Sequence, residues 1–244
     1  MTFRCSAVLR RSLAALALAA VAALAACAYR GQIDDPLTLK ATWLSYLNGD
    51  DLRAACVEGA PTQYRLIYNA DYDEQLRSYE FAGDGRGGGL LIARVHGQSG
   101  IVVDRMTFSD PMAFARWTRH DAALDAAQLA ELDAALAASG AFDPAPRGLQ
   151  LFSKETYWIS NLCRDGVYSF NAWRYPSDRF EAITFDDWLF ARDETGVAVR
   201  APVAVPVGAS ARANVPRQRD SSDERGNYFN VKVGDNGLTS RLAF

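Results

Sequence analysis

The stretch that most constrains this chain is Glu155 to Tyr175, which carries Asp165-Gly166 at its centre. Asp-Gly is one of the few dipeptides that readily occupies both left-handed positions of a two-residue hairpin turn. Pairing outward from that turn sets Cys163 opposite Tyr168, Asn161 opposite Phe170, Ile159 opposite Ala172 and Trp158 opposite Trp173. Successive side chains on a strand point to opposite faces, so Cys163 and Ile159 share the more apolar face of this hairpin. Leu162, Ser160, Ser169, Asn171 and the Trp158–Trp173 pair share the other.

Further strands are expected at Tyr64–Tyr68, Glu74–Phe81, Leu90–His96 and Ile101–Phe108, separated by turn-forming residues in the manner of an antiparallel meander. A tight turn over Gly97-Gln98-Ser99-Gly100 places Val95 opposite Val102 and Ala93 opposite Asp104. Leu91, Ala93, Val95, Val102, Met106 and Phe108 then line one face, and Arg94, His96 and Arg105 the other. Asp35-Pro36 begins a helix over 36–48 with Leu37, Leu44 and Leu47 at helical spacing. A short helical piece carrying Cys56 follows within 50–59. Ser109-Asp110-Pro111 starts another helix that reaches about His120. Asp125 and Gln128 make a capping box for a helix with Leu129, Leu132 and Leu136 on its stripe, closed by Gly140. A short helix at Asp186–Ala191 and one more strand before Val199 are expected next. Residues 207–227 have few large apolar side chains and read as flexible, and a last strand at Tyr228–Val233 docks back onto the body. The class is α+β: an antiparallel sheet of hairpins with helices packed on one side.

The N-terminus is of a different character. Arg4, Arg10 and Arg11 precede an uncharged run from Ser12 to Ala26, which is shorter than the ~20 apolar residues a spanning helix needs. A basic start, a short apolar run and small residues at its end form an export signal. The run closes with Leu24-Ala25-Ala26-Cys27, and here the chain resembles bacterial lipoprotein precursors. Their signal ends in Leu, two small residues and an obligatory Cys. The resemblance stops at Cys27 and implies a diacylglyceryl group on the Cys27 thiol, cleavage before it and acylation of the new amine, palmitate being the usual type of chain. Several acyl chains exceed the marginal hold of one, so such an anchor is stable. Ala28 follows the Cys where an Asp would favour retention, which is similar to lipoproteins sorted to the outer membrane, facing the periplasm. The expected organisation is a signal peptide at 1–26, a lipidated tether at 27–34, the α+β domain at 35–206, a flexible segment at 207–227 and a C-terminal strand region at 228–244.

Loss of three arginines with the signal leaves 23 basic against 29 acidic residues, a net charge of −6. That balance disfavours nucleic acid as a partner. Cys5 leaves with the signal and Cys27 takes the lipid, so Cys56 and Cys163 remain as an even pair in an oxidising compartment and are expected to form a disulfide. A catalytic thiol is the weaker reading, because nothing places a His beside either one.

Complete catalytic motifs are missing from the sequence. Gly83–Gly89 lacks the Gly-Lys-Ser/Thr ending of a phosphate loop and lies between strands, so it reads as a hairpin loop. Ser99 sits in His96-Gly97-Gln98-Ser99-Gly100, but Ile101 stands where a serine-hydrolase elbow needs Gly, and a strand follows instead of a helix. Only His96 and His120 are present, which disfavours zinc chemistry and His-dependent triads; no metal site or cofactor is expected. Asp104 falls among apolar residues, where it needs a partner such as Arg77 or a raised pKa. Trp158 and Trp173 offer either core packing or an aromatic platform for a glycan. The leading expectation is therefore a non-catalytic, membrane-anchored envelope lipoprotein that binds or assembles with a protein or glycan. The alternative is a carboxylate-dependent hydrolase of peptidoglycan or glycan, centred on Asp104 and a second acid ~5–10 Å away.

Overall fold

The computed structural model describes residues 29, 36–97, 117–205 and 229–243. The elements in chain order are α1 (Pro36–Asn48), α2 (Asp50–Ala55), β1 (Gln63–Ala70), β2 (Gln75–Gly83), β3 (Gly89–Gly97) and β4 (Thr118–Leu124), then α3 (Ala126–Ala138), β5 (Gln150–Phe152), β6 (Thr156–Arg164) and β7 (Val167–Arg174). α4 (Asp178–Glu181), α5 (Phe185–Phe190), β8 (Phe229–Val233) and β9 (Leu238–Ala243) complete them. Six strands form one antiparallel sheet in the order β4-β3-β2-β1-β6-β7, and β5-β8-β9 form a second. The α+β class and its sheet of hairpins are as the sequence predicts.

Local chemistry accounts for the elements that sequence alone located. Asp165 (φ 53°) and Gly166 (φ 74°) both take the left-handed conformation, which gives the β6–β7 turn the twist its strands require. The observed register pairs Cys163 with Tyr168, Ile159 with Ala172 and Trp158 with Trp173. Asp125 caps α3 through the Gln128 amide, and the Gln128 side chain returns a bond to the Asp125 N–H. At the far end Gly140 N bonds Ala137 O and Ala141 N bonds Leu136 O, with Gly140 at φ 68°, so two orphan carbonyls are satisfied.

β4 stands where the sequence reading expects other elements. β3 has β2 on one edge, and its other edge is occupied by β4, which pairs Val95 with Thr118, Ala93 with His120 and Leu91 with Ala122. Thr118 and His120 thus hold the places opposite Val95 and Ala93 that the expected hairpin gives to Val102 and Asp104. The predicted helix from Ser109 does not extend to His120, because Thr118–Leu124 is strand. Ile101–Phe108 and the Asp110-Pro111 start lie outside the described residues. The strand expected before Val199 is also absent among the described residues, where 192–205 runs as an irregular strap.

Both faces of the large sheet are covered. Tyr64, Leu66, Tyr79, Phe81, Leu91, Trp158 and Trp173 pack on one side against Leu132 and Leu136 of α3, Phe180 of α4, and Phe185 and Leu189 of α5. Ile67, Leu76, Tyr157, Ile159, Phe170 and Ala172 pack on the other against Trp43, Tyr46 and Leu47 of α1 and the small sheet. The helical side expected from sequence is the first of these, and the second face adds α1 together with Leu151, Phe229, Val231 and Val233. The C-terminal strand region is thus part of the body, since β8 pairs with β5 from Gln150–Lys232 to Phe152–Asn230. The 207–227 segment lies outside the described residues.

Candidate functional site

The polar residues that sequence reasoning passed over lie within the apolar strands. β1 and β2 pair Arg65 with Glu80, and β3 sets Arg94 opposite Ser78, so Arg65, Glu80 and Arg94 share the face on which α1 packs. Arg65 Nε donates to Glu80 Oε1 at 2.8 Å, while its two terminal nitrogens fork onto Asp51 at 2.8 and 2.7 Å. Arg94 closes on the second oxygen of Glu80. The Arg65 guanidinium lies over the rings of Tyr46 and Tyr29, at 4.1 and 4.9 Å from their centroids, and Tyr46 Oη bonds Ser78 Oγ. Burial pushes the Glu80 carboxyl up, but the guanidiniums of Arg65 and Arg94 outweigh it and hold Glu80 below the usual carboxylate range. A carboxylate so held is a fixed anion and not a proton donor at neutral pH.

Tyr29 joins this cluster from the N-terminal side. Its amide donates to Ser45 Oγ at 3.2 Å, its ring meets Tyr46 edge-on at 4.8 Å, and it is only 4% exposed. Tyr29, the one described residue of the stretch expected as a lipidated tether over 27–34, is thus packed onto the domain. An aromatic ring with a buried aromatic and a guanidinium to rest on leaves solvent.

The opposite face holds a second buried pair. Arg77 and Asp193 are bonded with side-chain exposures of 0% and 2%. Asp193 also accepts from Tyr79 Oη at 2.6 Å, and Arg77 donates to Val197 O. Burial pushes Asp193 up, but bonds from Thr195 and Tyr79 together with the Arg77 charge hold it low. Among the described residues the acidic partner of Arg77 is Asp193. Gln75 Nε2 donates to Ala198 O at 2.8 Å and Tyr68 Oη to Arg200 O at 2.8 Å, which fastens the strap to the sheet.

The other predicted site residues fall as follows. Cys56 and Cys163 form a disulfide with their Cα atoms 5.6 Å apart. Trp158 and Trp173 are 0% and 1% exposed, so the aromatic-platform reading is overturned. Phe185 meets them edge-on at 5.2 and 5.3 Å, Trp173 Nε1 donates to Ser139 O, and α3 and α5 roof the pair. Gly83–Gly89 is the β2–β3 hairpin loop, organised by Asp84, whose side chain accepts from the amides of Arg86 and Gly88. His96 stands on the Arg94 face beside Trp117, its pKa lowered by burial. His120, paired with Ala93, stands on the other face 3.5 Å from Glu194. The two histidines therefore cannot act on one substrate. Asp186, at the start of α5, is pushed up by burial and by its neighbour Asp187. Among the described residues no group of three His, Cys, Asp or Glu is placed to hold a metal ion. Cys27, Ser99 and Asp104 lie outside the described residues.

The fold and this site define a two-sided α+β domain in which the buried arginines Arg65 and Arg77 are each paired with carboxylates and whose N-terminal side is pinned at Tyr29. No protein-family model matches the chain, and no curated protein or solved structure matches it either. Among the described residues no helix is long and apolar enough to cross a membrane.

Proposed function

We propose that this chain is a lipoprotein of the bacterial envelope, anchored through Cys27 at the outer membrane and facing the periplasm. Its domain binds or assembles with an envelope protein or glycan and does not catalyse a reaction. The observation that carries the reading is the Cys56–Cys163 disulfide, because such bonds persist in oxidising compartments. An export signal ending in Leu24-Ala25-Ala26-Cys27 delivers a chain to that kind of compartment. The binding half of the proposal is supported by the state of the ionisable groups. Glu80 and Asp193 are committed to guanidiniums, and the two histidines are on opposite faces. The hydrolase alternative loses its main support, since His120 takes the place opposite Ala93 that it assigned to Asp104.

Mass spectrometry of the N-terminal peptide from the membrane fraction tests the anchor. The expected product begins at Cys27 and carries a thioether-linked diacylglyceryl group and an N-acyl chain, while Cys27→Ser stays unmodified and uncleaved. An unmodified wild-type chain in the soluble fraction would refute the anchor. Release of soluble fragments from purified peptidoglycan by the wild-type protein would refute the non-catalytic half.

A further inference from the structure

We propose that Tyr29 is a latch that holds this domain flush against the bilayer, so that the lipid anchor works without a flexible tether. The inference rests on lipidation of Cys27 and adds to it the distance and the side from which the domain meets a lipid surface. Tyr29 is held at three points: its amide on Ser45 Oγ at 3.2 Å, its ring on Tyr46 at 4.8 Å, and the Arg65 guanidinium over that ring at 4.9 Å. Each holding group is itself fixed. Ser45 Oγ donates to Asp50 Oδ2 at 2.8 Å, Tyr46 is wholly buried, and Arg65 is locked between Asp51 and Glu80.

Only two peptide units separate Tyr29 from Cys27. A chain spans at most ~3.3–3.6 Å per residue, so the Cys27 Cα lies within about 7 Å of the Tyr29 Cα whatever path it takes. A flexible linker behaves otherwise. Fourteen free residues reach a root-mean-square span of about 20 Å. With Tyr29 latched, the domain cannot drift from the headgroups, and the side bearing Tyr29 and Ser45 faces the membrane. Lipid acts here as a positioning surface for whatever partner the domain meets.

Neutron reflectometry of the full lipidated chain on a supported bilayer of phosphatidylethanolamine and phosphatidylglycerol reads the gap directly. The expected wild-type profile has protein density continuous with the headgroups, with a water layer no thicker than about 10 Å given the two-residue reach. Inserting twelve Gly/Ser residues between Ala28 and Tyr29 leaves the latch intact and is expected to open a water layer of about 10–20 Å. Tyr29→Ala is expected to widen the gap as well, with circular dichroism checking that the domain remains folded. A wild-type water layer as thick as that of the insertion variant would overturn the latch while leaving lipidation intact. A chain without lipid on Cys27 by mass spectrometry would overturn the anchor itself, and the latch with it.

Discussion

Glu80 sits where two opposed effects meet, and their balance sets how the protein responds to acid. Burial raises its pKa, but the charges of Arg65 and Arg94 lower it further, so the folded value lies below the unfolded value of about 4.3. A carboxyl with a depressed folded pKa contributes stability that is fully present above its unfolded pKa and lost as pH falls through the folded value. Glu80→Gln keeps the volume and removes the charge, leaving Arg94 and one side of Arg65 facing a neutral amide. Breaking a buried pair in this way costs about 3–5 kcal/mol, and the lower end is expected because Arg65 keeps its fork onto Asp51. Urea unfolding at neutral pH and again at about pH 3 checks both parts of the claim, since the wild-type advantage should shrink in acid once the carboxylate is protonated. An advantage of the same size at both pH values would show that the carboxylate is not ionised in the fold. Little of this cluster was readable in the sequence. Arg65 and Glu80 each interrupt an apolar run, which marks a polar position but not its partner. Pairing them requires the β1–β2 register, and Tyr29 joins only through contacts with residues 16 or more positions away.

At the scale of elements, what could be read depended on how local the determinants are. The β6–β7 hairpin, the α3 caps and the 36–48 helix are set by residues within a few positions of one another, and the sequence located all three. β4 was missed because its partner β3 lies across a connection of twenty residues, and a nearby helix-start pattern at Ser109-Asp110-Pro111 pointed elsewhere. The hairpin turn also shows a non-local demand that no turn rule contains. A Cβ on Gly166 would stand 2.9 Å from Glu58 N, Glu58 Cα and Val57 O, so the turn packs against the backbone just after the disulfide. Gly59 has a similar φ, +78° against +74°, yet a Cβ there would meet nothing within 4 Å. Gly59→Ala should therefore cost only the left-handed backbone term, about 1–2 kcal/mol. Gly166→Ala should cost that and more, because backbone atoms on both sides must shift. Urea midpoints of the two variants separate the terms, and equal losses would mean that the Glu58 backbone yields freely.

Over the whole molecule, three distant stretches converge beside the disulfide. Leu238 N donates to Asn48 Oδ1 at 2.6 Å, Arg53 donates to Asn236 O at 2.8 Å, and Phe170 N donates to Asn236 Oδ1 at 3.0 Å. The N-terminal helices, the β6–β7 hairpin and the C-terminal hairpin are thus bonded to one another independently of the Cys56–Cys163 link. If those bonds hold the native arrangement, the bridge acts mainly on the unfolded chain, where it closes a loop spanning 107 residues. Chain entropy then sets its contribution at no more than about 4–5 kcal/mol. An unfolded chain freed from a cross-link also expands and exposes more surface. The Cys56→Ala, Cys163→Ala double variant should lose stability while its urea m-value rises and its native near-ultraviolet circular dichroism stays the same. A loss of stability with an unchanged m-value and an altered native spectrum would instead locate the effect in the folded state, and would mean that the Asn48, Arg53 and Asn236 contacts need the bridge to form.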